Sequence, residues 1–332
     1  MNIGFIGTGW VAAQHADALK KIPEARVTAV TSADMNQSLE LAARVGATAY
    51  ENYREMLAKA KLDAVFVMLP PHAHGEIEIA CSEHVPAIFI EKPVSNQLET
   101  AHRVHAALTK AKTIVSVGYM IRYRSAVERV REIFASPENR PVLLNGKWVG
   151  DIPGPLWWRT MSQSGGQFVE QCTHVVDTAR YIAGEVTEVS AFAARGFITD
   201  VPDFTVDDAM VVNVRFASGA IGNFTTGCHL RPGMTLHPGT ELLISSRDTQ
   251  CMLTSVGGAN IDHRHGHSEH LLPEPDIFFL EDSLFLRAAT EKDPSLIKSS
   301  YADAMQTLAV TLAANESAAS GKTISLNGGT PA

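Results

Sequence analysis

Along the first 120 residues, short runs that are apolar throughout alternate with stretches whose apolar side chains recur every three or four positions. Residues 64–69 and 87–90 are of the first kind, and residues 2–6, which follow Asn2 with Ile, Gly, Phe and Ile, read as a short buried strand, as expected of parallel strands buried on both faces. Residues 26–31 and 114–117 read as two more strands. Between them Ala13, Ala16, Leu19 and Ile22 keep helical spacing, and helices are expected over 35–45, 75–83 and 97–111. Strands alternating with helices predict an α/β domain, a doubly wound parallel sheet, over residues 1–120.

Past Arg122 the pattern changes. A helix is expected to about Phe134, followed by strands over 142–149, 186–194, 209–216, 220–226, 241–246 and 251–254. Met210, Val212, Val214 and Phe216 alternate with Val211, Asn213 and Arg215, which gives one apolar face. Ser218-Gly219 supplies the hairpin turn. These features predict a C-terminal α+β domain over residues 121–332 with a mostly antiparallel open sheet. A closing helix is expected at about 300–320, packing back toward the first domain.

Composition removes several classes of function. The chain has 332 residues, 45% apolar and 19% charged, with a net charge of −8. A phosphate backbone would repel that charge, so nucleic acid is not expected as a partner. No apolar run approaches the ~20 residues of a membrane span. Residue 2 already enters a strand, leaving no room for a signal peptide. Four separated cysteines without a CxxC fit reduced thiols, and a cytoplasmic protein is expected.

Candidate chemistry gathers at strand ends, where such sheets bind ligands. Gly7-Thr8-Gly9-Trp10-Val11-Ala12 stands between a strand and a helix. Gly7 permits a tight turn, Gly9 lets backbone approach a pyrophosphate at the helix N-terminus, and Ala12 allows close packing. At the end of the second strand Ser32 stands where an acid would bind the ribose of NAD. That leans the expectation toward NADP, although Asp34 follows; alternatively both residues simply cap the helix 35–45. Pro70-Pro71-His72-Ala73-His74 and Glu91-Lys92-Pro93 end two further strands. A lysine in such a crevice can donate to a substrate oxygen.

In the second half, Gly165 and Gly166 precede Glu170, His174 and Asp177. If the segment after the glycines is one helix, these three share a face, with an imidazole between carboxylates that can exchange a proton near neutral pH. His263, His265, His267 and His270 fall in a polar stretch read as a loop near the substrate mouth, and no metal site is expected there.

The stretches GFIGTGWVAAQHADAL, PPHAH, EKPVS, GYMIRY, WWR…SGGQFVEQCTHVVD and YADAMQTLAVTLAANESAASGKTISL resemble, in order and spacing, the Gfo/Idh/MocA oxidoreductases. The resemblance implies a Rossmann domain that binds NAD or NADP and a second domain whose sheet makes homodimer or homotetramer contacts. It implies hydride transfer between the nicotinamide and a secondary alcohol of a sugar, sugar derivative or cyclitol. Lys92 matches the lysine that polarises the reacting oxygen and His174 the acid/base histidine. Glu170 matches a position more often Asp, and Asp177 the acid one turn on. Gly7, Thr8, Gly9, Trp10, Val11, Ser32, Leu69, Pro70, His74, Glu91, Lys92, Trp158 and Arg159 are the implied cofactor contacts. Lys92, Arg122, Glu170, His174 and Asp177, with Asp151 and His237 as further polar groups, would face the substrate. Three positions depart from the pattern: Glu170 is one methylene longer than Asp, Cys172 replaces a common glycine, and Leu69 a frequent threonine. Two other activities fit the same fold: a glycoside hydrolase that reduces NAD only transiently, and a non-catalytic nucleotide sensor.

Overall fold

The computed structural model describes residues 1–234, 240–254, 258–274, 276–327 and 330–331. The chain forms two compact units, Met1–Met120 with Asp276–Asp303, and Ile121–Pro275 with Ala304–Ala332.

The first unit is the doubly wound sheet that the apolar runs predict. Its strands are β1 (Asn2–Ile6), β2 (Arg26–Thr31), β3 (Thr48–Ala49), β4 (Ala64–Val67), β5 (Ala87–Ile90) and β6 (Ile114–Val117). They pair in the order β3-β2-β1-β4-β5-β6, all parallel. Every residue of β4 and β5 is buried. The helices are α1 (Trp10–Leu19), α2 (Met35–Val45), α3 (Tyr53–Lys59), α4 (Glu76–Ser82) and α5 (Leu98–Ala111). Because β1 pairs with β2 on one side and β4 on the other, the strand order reverses between β1 and β4. A crevice opens at the carboxyl ends of strands at such a reversal.

The second unit carries α6 (Ser125–Ala135), β7 (Leu143–Asp151), α7 (Leu156–Arg159), α8 (Met161–Ser164), α9 (Gln167–Glu170) and α10 (Thr173–Ala183). Next come β8 (Val186–Ala194), β9 (Ala209–Phe216), β10 (Ile221–Leu230), β11 (Thr240–Ser245), β12 (Thr249–Thr254), β13 (Ala259–His263) and β14 (His267–Leu271). Then α11 (Ile277–Glu291) belongs to the first unit, before α12 (Tyr301–Ser320), β15 (Ile324–Asn327) and β16 (Thr330–Pro331). The sheet order is β14-β13-β12-β11-β7-β10-β9-β8-β15-β16. It is mostly antiparallel, with β7 and β10 parallel. On β9, Met210, Val212, Val214 and Phe216 are buried and Val211, Asn213 and Arg215 exposed, the alternation foreseen. A Cβ at Gly146 of β7 would lie 2.4 Å from Val175 of α10, so the helix that bears His174 rests directly on the sheet.

The structure departs from the sequence reading in two places. Residues 261–270 are no loop: β13 and β14 pair antiparallel, His263 opposite His267, around a tight turn at Arg264–Gly266. Arg124, the residue before α6, is 8% exposed, and burial holds its guanidinium pKa below the usual value. Helix α11 had no expected counterpart. Among the described residues no helix is long and apolar enough to cross a membrane, and all four cysteines are buried free thiols.

Candidate functional site

In the first unit the glycine turn forms a cradle. Gly7 donates its N–H to the Thr31 carbonyl at 2.9 Å and has φ +111°. A Cβ there would be 2.1 Å from the Met68 carbonyl oxygen, so no side chain fits. Gly9 is the N-cap of α1, and a Cβ on it would meet nothing within 4 Å. The helix N-terminus therefore faces open space, with no acid in its first turn to repel an anion. Thr8 hydrogen-bonds Gln37 at 3.1 Å. Trp10 is 73% exposed and stands edge-on to Phe278, while Val11 is half-buried.

Ser32 and Asp34 do what helix-capping residues do. The Asp34 carboxylate accepts from Asn36 N and Gln37 N, capping α2. The Ser32 hydroxyl bonds the Asp34 carbonyl at 2.8 Å and the Ser38 hydroxyl at 2.9 Å.

At the end of β4, the Leu69 carbonyl and the buried Glu78 carboxylate hold the two ring nitrogens of His74. Glu78 also accepts from Gly75 N at 2.6 Å. Pro70 is half-buried. At the end of β5, Glu91 accepts from Lys92 N at 3.1 Å and, through its other oxygen, pairs with His15 Nε2 at 3.0 Å. Lys92 is half-buried and is followed by a cis peptide bond to Pro93.

In the second unit Gly165 (φ +78°) ends α8 and Gly166 (φ +88°) opens α9. Only glycine adopts two such residues in succession without strain. The helix after them is not continuous. It breaks at Gln171 and Cys172, and α10 begins at Thr173. The expected single stripe of Glu170, His174 and Asp177 is corrected accordingly: Glu170 ends one turn, and only His174 and Asp177 share a helix. Glu170 and His174 are 4% and 6% exposed. The His174 ring lies against Trp148, centroids 5.8 Å apart at 22°. Burial pushes the thiol of Cys172, two residues before His174, up, so it is neutral.

Asp177 and Arg122 are brought together. Arg122 Nε donates to Asp177 Oδ2 at 2.7 Å and its NH2 to Oδ1 at 2.6 Å. Thr307 donates to Oδ1 at 2.9 Å, and the guanidinium lies 4.7 Å from the Tyr181 ring centre. Trp158 stacks on Trp157. The indole N–H of Trp158 and Nε of Arg159 are buried with no hydrogen-bond partner among the described residues, which leaves two donors for a ligand. Gln167, which sequence reasoning passed over, is 2% exposed with both amide atoms likewise unpartnered among the described residues. Its place directly after two glycines was the available signal. His237 lies outside the described residues, and Asp151 is exposed.

His263, His267 and Glu269 put three possible metal-ligand atoms within 4.8 Å of one another. Arg129, however, binds both Glu269 oxygens at 2.9 and 3.0 Å. With the His263 bond, this guanidinium drops the Glu269 carboxyl to about 2. A cation in that position opposes a second one.

The chain as a whole resembles known proteins. The family profile "Oxidoreductase family, NAD-binding Rossmann fold" matches residues 1–119, and the "GFO/IDH/MocA C-terminal domain" profile matches residues 138–245. The myo-inositol 2-dehydrogenase of Thermotoga maritima is 32% identical over 227 residues, 67% of each chain. The levoglucosan dehydrogenase of Pseudarthrobacter phenanthrenivorans is 27% identical over 261 residues, 67% of this chain and 66% of its own. A solved levoglucosan dehydrogenase in complex with NADH and levoglucosan superposes with a TM-score of 0.86 at 20% identity, covering 99% of both chains. Both halves of the chain match models of one group, and the chain belongs to the Gfo/Idh/MocA family of oxidoreductases.

Proposed function

We propose that the protein is a reversible dehydrogenase that acts on a secondary alcohol of a sugar or cyclitol with NAD as its partner. One observation carries the reading: the glycine cradle after β1 and a half-buried lysine after β5 stand at the same carboxyl edge of one parallel sheet. A dinucleotide fits the cradle, because Gly9 leaves room and α1 offers its N-terminal N–H groups. Thr8, Trp10 and Val11 line the turn; Leu69, Pro70, His74 and Glu91 follow the neighbouring strands, and Trp158 and Arg159 supply the buried donors. When bound, the nicotinamide supplies the site that takes up or returns a hydride.

The chain's own residues manage the proton and the charge. Lys92 donates to the reacting oxygen and stabilises the negative charge that develops there, as a pre-placed cation does. His174 takes the hydroxyl proton and returns it in the reverse direction. Glu170 orients His174 or binds a neighbouring hydroxyl. Gln167 offers a buried amide to the same polyhydroxyl substrate. The Arg122–Asp177 pair, engaged with itself and with Thr307, supports α10 from beneath.

The cofactor is NAD rather than the NADP toward which Ser32 alone leans. The Ser32 hydroxyl already serves Ser38 and the Asp34 carbonyl, and Asp34 places a carboxylate at the start of α2, where a 2′-phosphate would meet like charge. The substrate class follows the relatives named for inositol and levoglucosan. The exposed side chains Phe192, Val211 and Ile221 on strands of the second sheet supply the contact between copies of a homo-oligomer in the cytoplasm.

The test is a screen of polyols and sugars with NAD or NADP, read by reduced-nicotinamide absorbance. Stoichiometric NADH formation, faster with NAD, is the expected result. Product formation without net NADH would identify a hydrolase, and tight dinucleotide binding without turnover a sensor.

A further inference from the structure

Behind Glu91 lies a buried polar cluster in which no residue touches the proposed reaction. His15, on α1, is fully buried. Its Nδ1 meets the Asp282 carboxylate of α11 at 2.8 Å, and its Nε2 meets Glu91 at 3.0 Å. Three aromatic rings stand edge-on around the imidazole: Phe89 at 4.8 Å, Phe278 at 5.1 Å and Phe66 at 5.3 Å. On the far side of the carboxylate, Gly118 comes so close that a Cβ there would lie 2.9 Å from both Glu91 oxygens. Glu91 therefore has one place to be, and from it one oxygen accepts the backbone N–H of Lys92.

Burying three ionisable groups is costly unless each is paired. Here they share their charges. Burial pulls the His15 pKa down, but the Asp282 and Glu91 carboxylates outweigh it and lift the ring to about 10. The ring keeps its proton at neutral pH and donates on both sides.

We propose that His15, anchored by Asp282, is a positioning residue that fixes the Glu91 carboxylate and through it the backbone of Lys92. The network ties the helix that opens at the glycine cradle to the strand end that bears the lysine. A side chain so clamped by hydrogen bonds and packing is the usual means of holding a reactive group within a fraction of an ångström, and a small misplacement costs up to about 100-fold in rate. The proposal rests on the dehydrogenase reading above.

Two amide substitutions separate positioning from mere packing. In His15→Gln the side-chain nitrogen reaches the place of Nε2 and still meets Glu91. In His15→Asn it reaches the place of Nδ1 and meets only Asp282. We expect His15→Asn to lower kcat at saturating NAD and alcohol by roughly 10- to 100-fold, and His15→Gln to recover most of that loss, with similar thermal midpoints. Independently of turnover, nitrogen NMR of the His15 ring should show both nitrogens protonated through pH 8. Asp282→Asn, which keeps its size, should bring ring titration toward neutrality, with kcat falling as pH rises through it. Among the described residues the charged groups acting on the ring are Asp282 from α11 and Glu91 from the end of β5, while Phe66 of β4, Phe89 of β5 and Phe278 of α11 present aromatic rings to it. Equal kcat for the two His15 variants in an active enzyme, or a ring already neutral at pH 7, would overturn the proposal. If either His15 variant fails to fold, the Asp282→Asn profile decides. A wild type that turns over no alcohol would reject the dehydrogenase reading instead.

Discussion

At the scale of single residues, placement separates groups that offer chemistry from groups that are consumed by structure. Asp177 reads in the sequence as one more acid beside a histidine. In the fold both its oxygens hold Arg122, and one also accepts from Thr307, all buried. Removing one partner of a buried pair strands the other charge. Asp177→Ala should therefore cost about 3–5 kcal/mol of stability, read by chemical denaturation, with the KM for the alcohol little changed. A large rise in KM at unchanged stability would return Asp177 to the substrate. The identity of Lys92, Glu170 and His174 as candidates was legible from residue type and spacing. The His15–Asp282 contact was not, because it joins positions 267 apart, and no local pattern encodes such a contact.

At the scale of elements, periodicity succeeded where burial is one-sided or complete. The wholly apolar β4 and β5 and the alternating β9 were legible for that reason. It failed in three places. The α11 segment, IFFLEDSLFLRAATE, buries Glu281 and Asp282 along with Phe285, so its buried face is not apolar and its period is blurred. The break at Gln171 and Cys172 leaves no proline or glycine to announce it. The β13–β14 hairpin is built from histidines and acids whose partners lie across the pair, as in His263 with Glu269, and polar alternation resembles a loop. The glycine turn is the opposite case, since its geometry admits one residue type. Gly7→Ala should force the turn off the Met68 carbonyl and abolish dinucleotide binding, measured by quenching of Trp10 fluorescence or by calorimetry. Retained affinity would show that the cradle is not where the dinucleotide rests.

At the scale of the whole molecule, the buried network links stability to pH. The folded His15 pKa, about 10, lies above the ordinary histidine value of 6.5. The stabilisation it provides is fully present below pH 6.5 and is lost as pH rises toward 10. Burial also raises the Asp282 carboxyl, so the folded state binds more protons than the unfolded one at both groups. The thermal midpoint should fall from pH 6.5 to 10, and His15→Gln should flatten that slope. A midpoint that rises over this range would contradict the assignment.

The central claim is that Lys92 and His174 serve one chemical step. A double-mutant cycle tests it most directly: kcat for NAD-dependent alcohol oxidation by wild type, Lys92→Ala, His174→Ala and the double variant. Each single change should lower kcat by roughly 100-fold or more, and the double should lose little beyond the larger single loss, as groups acting as a unit do. Losses that simply multiply, or a His174→Ala variant with near wild-type kcat, would contradict the account.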